Sequence, residues 1–336
     1  MKALKVILYI VLAIVLLGAA AVFMIPTEYH VERSTTINAP QKLIMQHAGK
    51  FENFVKWSPW NKLDPNMTYT IEGTDGEVGS RYSWVGNDQV GEGSMEITSV
   101  SENKIEEDLI FLKPFESRAK VSLTFETTSD GTKVTWAMDS ESPRPMNLMN
   151  PMMDGMMGPD FESGLAELKV LSEKVASSDT FRSFKIEPIE MSSRTYIGIK
   201  DTVKWADMQT FMASSFGAAY GELTKKKAPM AGAPSSIYFV WDEANEQTVM
   251  AAAIPVEGEY SLDGFEAFPA GGSGYKIAYY GAYEGSGEAH YAMDDYFTAK
   301  GLEMTEDIMV IEEYVTDPTT EADTSKWLTN VYYILK

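Results

Sequence analysis

The chain has 336 residues, of which 28 are Lys or Arg and 49 are Asp or Glu, so its formal net charge at pH 7 is −21. Acidic residues occur along the whole chain and repel phosphate backbones, which argues against nucleic acid as a partner. The length is typical of about two domains, and 44% hydrophobic residues are ordinary for folded domains. The absence of cysteine excludes disulfides, thiolate nucleophiles and cysteine-based metal sites.

The N-terminus carries an uncharged apolar run from Val6 to Ile25. Its length matches the roughly 20 residues that a helix needs to cross a bilayer. Lys2 and Lys5 precede the run, and the acidic remainder of the chain follows it. The positive-inside rule therefore predicts a cytoplasmic N-terminus, with everything after Pro26 exported to a periplasmic or extracytoplasmic compartment.

A cleaved signal peptide is the alternative for this segment. Ala19-Ala20-Ala21 offers a small-residue cleavage site. Against cleavage, the apolar run continues past that site through Val22-Phe23-Met24-Ile25. We therefore predict a single-pass anchor over residues 1–27 with residues 6–25 in the lipid bilayer.

Residues 28–176 are predicted to form an antiparallel sheet that wraps around one long C-terminal helix. Strand-like periods and β-branched residues alternate with breaks rich in Gly, Asn, Asp and Ser. The helix, from about Gly158 to Val175, gathers apolar side chains on one face. The other predicted elements are a helical stretch over residues 41–55 and strands at Tyr29–Ile37, Met67–Glu72, Ser80–Val85, Gly91–Val100, Lys104–Leu112, Lys120–Thr127 and Thr132–Met138.

A short polar linker, residues 177–181, precedes a second α+β domain over residues 182–336. Its elements are predicted in the order β-α-β-β, twice. Gly271-Gly272-Ser273-Gly274 is predicted to be a flexible loop. The predicted helices are Trp205–Leu223 and Gly287–Lys300, and the strands are Phe184–Glu190, Arg194–Ile199, Ser236–Trp241, Thr248–Pro255, Tyr275–Tyr283, Met309–Val315 and Trp327–Leu335.

Motifs of common enzymes and metal sites are missing from the sequence. The histidines are His30, His47 and His290, and no two have the spacing of a zinc-binding helix. No G-x-S-x-G elbow or P-loop occurs either. We therefore predict neither a metal nor a cofactor.

Residues Pro145–Met157 contain six methionines in thirteen residues. Methionine adapts its shape and is over-used at surfaces that accept varied partners, so a lid over a cavity is one interpretation. Thioether ligation of Cu(I) is a second, although no histidine supports it. The interpretation we favour is a flexible loop packed on the sheet.

Four tryptophans lie on or beside the predicted strands of the first domain. Large aromatic groups of this kind usually fill a core. Grouped inside a curved sheet, they also line cavities for apolar ligands. These candidate ligand-binding residues are Trp57, Trp60, Trp84 and Trp136.

Two adjacent carboxylates, Glu312 and Glu313, lie in the predicted strand Met309–Val315. Strand side chains alternate between faces, and apolar neighbours on both faces predict that one carboxylate points inward. A buried carboxylate is costly unless paired, which indicates either a ligand-binding role or a salt bridge to Lys or Arg of the same domain. The aromatic residues suited to walling a cationic or flat ligand are Tyr238, Trp241, Tyr279, Tyr283 and Trp327.

Short motifs recur in a fixed order through the first domain. They are Val31-Glu32-Arg33-Ser34, Ile37-Asn38-Ala39-Pro40, Phe54-Val55-Lys56-Trp57-Ser58-Pro59-Trp60, Gly79-x-x-Tyr82-x-Trp84, Gly91-x-Gly93-x-Met95, Gly131-Thr132-x-Val134-x-Trp136 and Phe161-Glu162-x-Gly164-Leu165. With them, residues 30–176 resemble the SRPBCC superfamily, the helix-grip fold of polyketide cyclase/dehydrase-like and START-like proteins. The resemblance implies a deep apolar cavity between sheet and helix but no particular activity, because lipid carriers, cyclases and chaperone regulators share this fold.

Motifs of the second domain point to another family. They are Tyr238, Gly281-x-Tyr283-Glu284, Glu312-x-Tyr314-x-x-Asp317-Pro318 and Trp327-x-Thr329. With them, residues 182–336 resemble the GyrI-like, or AraC-type effector-binding, small-molecule-binding domain. The resemblance implies that Glu312 lies in a pocket for cationic or polar drug-like ligands. The chain lacks the helix-turn-helix segment of transcriptional members, which removes DNA as the readout.

Three functions are compatible with these patterns. The one we favour is a membrane-tethered binding protein with an apolar ligand in the SRPBCC-like cavity and an aromatic or cationic ligand in the GyrI-like pocket. The second is an enzyme, since some GyrI-like relatives hydrolyse reactive cyclopropane compounds. Glu312, Tyr314 and Trp327 are then the candidate catalytic residues. The third is a non-catalytic module that holds a protein partner at the membrane.

Overall fold

The computed structural model describes residues 2–258, 260–316 and 319–335. The chain divides into two compact units, with the boundary after Ser177. Each unit combines helices with a seven-stranded sheet whose neighbouring strands are antiparallel. The predicted α+β class is therefore confirmed.

The N-terminal helix α1 (Lys2–Met24) contains the segment Lys5–Met24, whose mean hydropathy is 3.0. No other helix in the described part of the chain is long and apolar enough to cross a membrane. By length and composition, α1 suits either a membrane anchor or a signal sequence.

The sheet of the first unit has the strand order β1-β7-β6-β5-β4-β3-β2. Its alternating positions carry the apolar side chains inward, where the most buried include Ile37, Ile97 and Phe125. The predicted strands agree with these elements to within a few residues at each end. They are β1 (Glu28–Ile37), β2 (Thr68–Glu72), β3 (Arg81–Val85), β4 (Glu92–Val100), β5 (Lys104–Lys113), β6 (Ser117–Thr128) and β7 (Gly131–Glu141).

The helical stretch predicted at residues 41–55 is two helices, α2 (Gln41–Gly49) and α3 (Phe51–Trp57), followed by α4 (Trp60–Leu63). They separate at Lys50, whose backbone is extended. Asp75 accepts hydrogen bonds from two amides at the start of α3, and so supplies its N-terminal cap.

The long helix α5 (Asn150–Ser177) begins eight residues before the predicted start at Gly158. The methionine-rich segment is therefore not a loop: a 3₁₀ turn at Met146–Met149 leads directly into α5. Arg33 lies against Gly158, where a side chain would clash with its guanidinium group. The same guanidinium binds Asp154 and Glu162 at 2.7 Å each, and so links the helical turns before and after Gly158.

The sheet of the second unit closes on itself, because β9 pairs with β12 on one side and with β11 on the other. The elements follow the predicted order β-α-β-β twice, first from β9 and then from β12. They are β8 (Thr180–Phe181), β9 (Phe184–Lys204), α6 (Met208–Lys225), β10 (Ser235–Asp242), β11 (Gln247–Val256), β12 (Glu266–Tyr280), α7 (Gly287–Lys300), β13 (Met309–Tyr314) and β14 (Leu328–Ile334).

Two local predictions in this unit were wrong. The strands predicted at Phe184–Glu190 and Arg194–Ile199 are one continuous strand, β9, which is long because it serves two neighbours. The glycine-rich stretch Gly271–Gly274 lies inside β12 rather than in a loop. The register of β12 against β9 shifts at a β-bulge between Ala270 and Gly272, and Gly271 and Gly272 there adopt positive φ angles that favour glycine.

The closed sheet of this unit has an inner face and an outer face. Ile237, Ile311 and Tyr332 belong to the inner core. Helix α7 packs on the outer face through Ala292, Met293 and other buried residues. Helix α6 packs on that face through a separate apolar cluster with β9 and β11. The alternation of β13 thus directs successive residues either into the closed sheet or toward the helices.

Candidate functional site

An apolar cavity of about 110 Å³ lies in the first unit, between the sheet and helix α5. Trp60, Trp84 and Trp136 line it, whereas Trp57 does not. Trp57 lies behind Trp136, with a ring separation of 5.2 Å, and its indole donates to the His47 carbonyl at 3.0 Å. Other lining residues are Phe54, Tyr82, Met95, Leu109, Val121, Met138, Met157 and Phe161.

Two glycines make room for the tryptophans of this cavity. A Cβ atom at Gly93 would lie 2.6 Å from the Trp84 ring, and one at Gly164 would lie 2.8 Å from the Trp136 ring. Trp136 also stacks on Phe161 of α5 at 4.3 Å, with the rings 8° from parallel. The close approach of sheet and helix therefore depends on a small residue at Gly164, whereas Gly93 makes room for a ring from the neighbouring strand.

In the second unit, the carboxylate of Glu312 is 4% exposed and receives several hydrogen bonds. The hydroxyls of Tyr238 and Tyr314 each donate to it at 2.9 Å. His290 of α7 contacts its other oxygen through Nε2 at 3.1 Å. The Nδ1 atom of His290 is 2.9 Å from the Tyr333 hydroxyl, which fixes the orientation of the ring.

Further aromatic rings pack against the two tyrosines that donate to this carboxylate, or against each other. Tyr283 contacts both Tyr314 and Trp327, with ring centroids 5.2 and 4.9 Å apart. Trp241 lies 6.1 Å from Tyr238 and remains half-exposed. Tyr279 instead belongs to the apolar core formed with α7, and its hydroxyl donates to the Ala282 carbonyl at 2.8 Å. The other six candidate site residues of this unit are neighbours in one cluster, the Glu312 cluster. They are Tyr238, Trp241, Tyr283, Glu312, Tyr314 and Trp327.

The charge of Glu312 is set by competing effects. Burial alone would raise its pKa, but the hydrogen bond and charge of His290 outweigh burial, with help from Ser286 and Tyr314. The pKa of Glu312 is therefore lowered, and the group is an anion at neutral pH. Burial and this nearby charge raise the pKa values of Tyr238 and Tyr314 well above the usual range, so both remain protonated donors.

Both adjacent carboxylates are buried, rather than only one as predicted from sequence. Glu313 is 7% exposed on the opposite face of the strand. The side chains of Asn330 and Tyr332 donate to it at 3.0 and 2.9 Å, and Arg194 lies 3.8 Å away. The closed sheet has an interior of its own, so both faces of β13 are shielded from water. The predicted salt bridge to Arg or Lys therefore occurs at Glu313, whereas the Glu312 carboxylate is bonded by tyrosines and histidine.

Sequence reasoning missed His290 as part of this cluster. It considered histidines only in metal-ligand spacings, which His290 does not have. The available signal was its place on the predicted helix Gly287–Lys300, beside residues that pack on the sheet.

Within the described residues, no group of three or more His, Cys, Asp or Glu side chains is arranged to hold a metal ion. Asp317 and Pro318 of the quoted motif lie outside the described residues.

Comparison with known proteins gives a match for the first unit. Residues 28–173 match the model of the family described as polyketide cyclase / dehydrase and lipid transport. The first unit is SRPBCC-like. The resemblance of residues 182–336 to GyrI-like domains stays a prediction. No curated protein matches the chain.

Several solved structures are similar to part of the chain. A protein from Chromobacterium violaceum is 11% identical and covers 43% of this chain and 96% of its own, with a TM-score of 0.34. Ginseng major latex-like protein 151 from Panax ginseng is 15% identical over 43% of this chain and 97% of its own, with a TM-score of 0.31. Aha1 from Colwellia psychrerythraea is 18% identical over 42% of this chain and 96% of its own, also with a TM-score of 0.31.

The SRPBCC-like unit also buries two titratable groups near its core. Burial raises the pKa of Glu107 to about 7, and this residue pairs across the sheet with Val121, a lining residue of the cavity. Burial, assisted by the charge of Lys56, lowers the pKa of His47 to about 4. His47 is therefore neutral at pH 7, with Nδ1 3.0 Å from the Ser172 hydroxyl.

Proposed function

We propose that the protein is a membrane-tethered small-molecule-binding protein with two sites. The first site is the cavity of the SRPBCC-like unit, which would hold an apolar ligand. The observation that carries the proposal is the lining of this cavity by aromatic, methionine and aliphatic side chains, in a region that matches a family of cyclases and lipid transporters. Such a lining favours apolar ligands through burial of their surface.

Helix α1 supports the tether in this proposal. Its uncharged segment is long enough to cross the hydrocarbon core, and lysines precede it. We assign the N-terminus to the cytoplasm and both folded units to the extracytoplasmic side. The bilayer is then a partner of the protein through residues 6–25.

The second site in the proposal is the Glu312 cluster, which would bind an aromatic cation. Glu312 supplies a negative charge that water screens little and that His290, at 3.1 Å, offsets in part. Tyr283, Trp327 and Trp241 supply ring faces next to the tyrosines that donate to it. A cation on these rings would be attracted by both the quadrupoles and the carboxylate.

A hydrolase that uses the same cluster is the second candidate. The hydrogen bond from Tyr314 to Glu312 gives it a donor beside a carboxylate. The lowered pKa of Glu312, however, leaves no proton to donate at neutral pH, and a base of low pKa is a weak proton acceptor. Binding is therefore the better-supported role. Turnover of a reactive electrophile that is lost in Glu312→Gln would reverse this ranking.

The first site is tested by filling its cavity. Val121→Phe adds a ring to the lining, and we expect affinity for a small apolar fluorophore to fall about tenfold or more, because the cavity has little spare volume. Val170→Phe is the control, since Val170 is exposed on α5. Fluorescence titration of the full chain in detergent measures both, and native mass spectrometry of the wild type shows whether an apolar molecule co-purifies. Equal affinities in the two variants would contradict binding in this cavity.

A further inference from the structure

One end of the sheet in the SRPBCC-like unit gathers the strand termini nearest to α1. The first residue of β1, Glu28, pairs with Glu141 at the end of β7. Antiparallel pairing then carries this end along the sheet to the start of β6, the end of β5 and the loop between them, residues 114–116. The same end includes the end of β3 and the start of β4. We call it the α1 end of the sheet.

Side chains of the segment that follows β7 connect this end of the sheet to the last turn of helix α1 and the residues after it. The amide of Asn147 donates to the carbonyls of Val22 and Ile25 at 2.8 and 2.7 Å. Asn150 donates in the same way to the carbonyls of Pro26 and Thr27. The Val22 carbonyl in the last turn of α1 and three carbonyls just after the helix are thus bonded by the segment that leads into α5. If α1 crosses the bilayer, this segment lies at the bilayer surface.

Large apolar side chains protrude from the α1 end into solvent. Phe115, in the loop between β5 and β6, is 69% exposed. Arg144 lies 5.6 Å from the centre of the Phe23 ring, a position from which its charge would reach lipid headgroups if α1 crosses the bilayer. Amphipathic surfaces with this composition are stable at a lipid interface and costly in water. The other protruding residues are Val85, Leu112, Met146, Leu148, Met149, Met152 and Met156.

The cavity reaches the same end of the sheet. Its lining includes Val90 in the β3–β4 loop, Phe111 near the end of β5 and Met157 in the second turn of α5. Met157 therefore lies inside the cavity, whereas Met152 and Met156 of the same helix face outward. The methionine-rich segment borders both the cavity and the exposed apolar surface.

We propose that the α1 end is a membrane-seated portal, in which Phe115 and the methionine-rich segment enter the lipid interface and the cavity exchanges its apolar ligand directly with the bilayer. This inference rests on the proposed tether and apolar ligand, and it adds the surface through which the ligand passes. The occupant of the surface is lipid, because the surface is continuous with the end of a helix suited to the bilayer. A ligand on this route would avoid exposing its apolar surface to water.

The absence of cysteine allows a direct test with single spin labels. The full chain is reconstituted in phosphatidylcholine–phosphatidylglycerol vesicles, with a cysteine at Phe115, Val78 or Leu12 in separate samples. Val78 is the matched control, since it is 61% exposed at the opposite end of the sheet. Leu12 lies in the middle of α1 and reports the tether itself. Power saturation then compares access of each label to oxygen and to a water-soluble nickel chelate.

We expect the label at residue 115 to be accessible to oxygen and protected from the nickel chelate, and the label at residue 78 to show the reverse. A label at 115 that is open to nickel overturns the portal, and so does one protected from both reagents, which indicates a protein contact. A label at residue 12 that is open to nickel overturns the tether and the portal together. Lipid protection at 12 with nickel access at 115 overturns the portal alone.

Ligand exchange gives a second, functional readout. Transfer of a small apolar fluorophore from the vesicle bilayer into the cavity is followed by energy transfer from the lining tryptophans. We expect Phe115→Asp to slow uptake about tenfold while affinity at equilibrium stays unchanged, and Val78→Asp to change neither. Uptake by Phe115→Asp at the wild-type rate contradicts the portal, whereas absence of binding in the wild type contradicts the apolar cargo and with it the portal.

Discussion

Replacing Glu312 by Gln is expected to weaken binding of an aromatic quaternary ammonium ion by about 10- to 100-fold. This fall in affinity corresponds to the loss of roughly 1.5–3 kcal/mol of binding free energy from an interaction with a charged group. The carboxylate is nearly excluded from water, so water screens its charge little, and the contact with His290 at 3.1 Å offsets only part of it. Isothermal titration calorimetry with benzyltrimethylammonium measures the effect on the full chain in detergent.

Two controls separate charge from packing in this experiment. A neutral isostere of the ligand, with carbon in place of nitrogen, should bind wild type and Glu312→Gln alike. Glu313→Gln removes the same charge from the same strand but on the opposite face, where the carboxylate meets Asn330 and Tyr332. We expect this variant to retain cation affinity. Equal cation affinity in wild type and Glu312→Gln, with both folded by circular dichroism, would refute the Glu312 cluster as a cation site.

The strands of the SRPBCC-like unit could be predicted from sequence because their signals are local. Alternation along β4 and β6 marks which side chains enter the core, and turn residues such as Ser129-Asp130-Gly131 mark where the strands stop. These signals need no information from distant residues. The predicted boundaries therefore lie close to the observed ones.

The elements that local signals missed depend on partners elsewhere in the chain. Gly158 and Pro159 resemble a helix start, yet α5 begins earlier. Arg33 of strand β1 binds Asp154 before the glycine and Glu162 after it, and so stabilises the helix on both sides of Gly158. Gly271 resembles a loop residue, yet β12 continues through it as a bulge, because the β12 residues before and after this glycine both pair with β9. Sequence periodicity indicates neither the ion pairs of Arg33 with α5 nor the pairing of β12 with β9.

The residues of the candidate site in the second unit likewise include some that the sequence indicates and one that only the fold reveals. Strand alternation and aromatic content indicate Glu312 and Tyr238, and the family resemblance adds Tyr314; the three share hydrogen bonds in the structure. His290 carries no motif signal and enters the cluster only because α7 packs on the face to which Glu312 points. A single histidine on a helix becomes informative only when the fold shows what it faces.

Replacing Glu107 by Gln is expected to stabilise the protein at pH 8 by roughly 3 kcal/mol and to leave its stability at pH 4.5 nearly unchanged. Burial is the cause that raises the pKa of Glu107 to about 7, from an ordinary value of 4.5. Between these two values, the folded protein holds a proton that the unfolded chain has released. Stability of the wild type therefore falls as the pH rises from about 4.5 to about 7, and the Gln variant lacks this contribution.

Thermal unfolding of the full chain in detergent, followed by circular dichroism from pH 4.5 to 8, measures this difference. Glu106→Gln is the control, because Glu106 is the neighbouring residue on the exposed face and its pKa is lowered by the hydrogen bond to Lys104. We expect its pH profile to follow that of the wild type. If Glu107→Gln has the wild-type slope between pH 5 and 7, Glu107 is ionised in the folded protein. The region opposite Val121 would then be polar enough to hold a charge, which would also count against an apolar ligand in the cavity that Val121 lines.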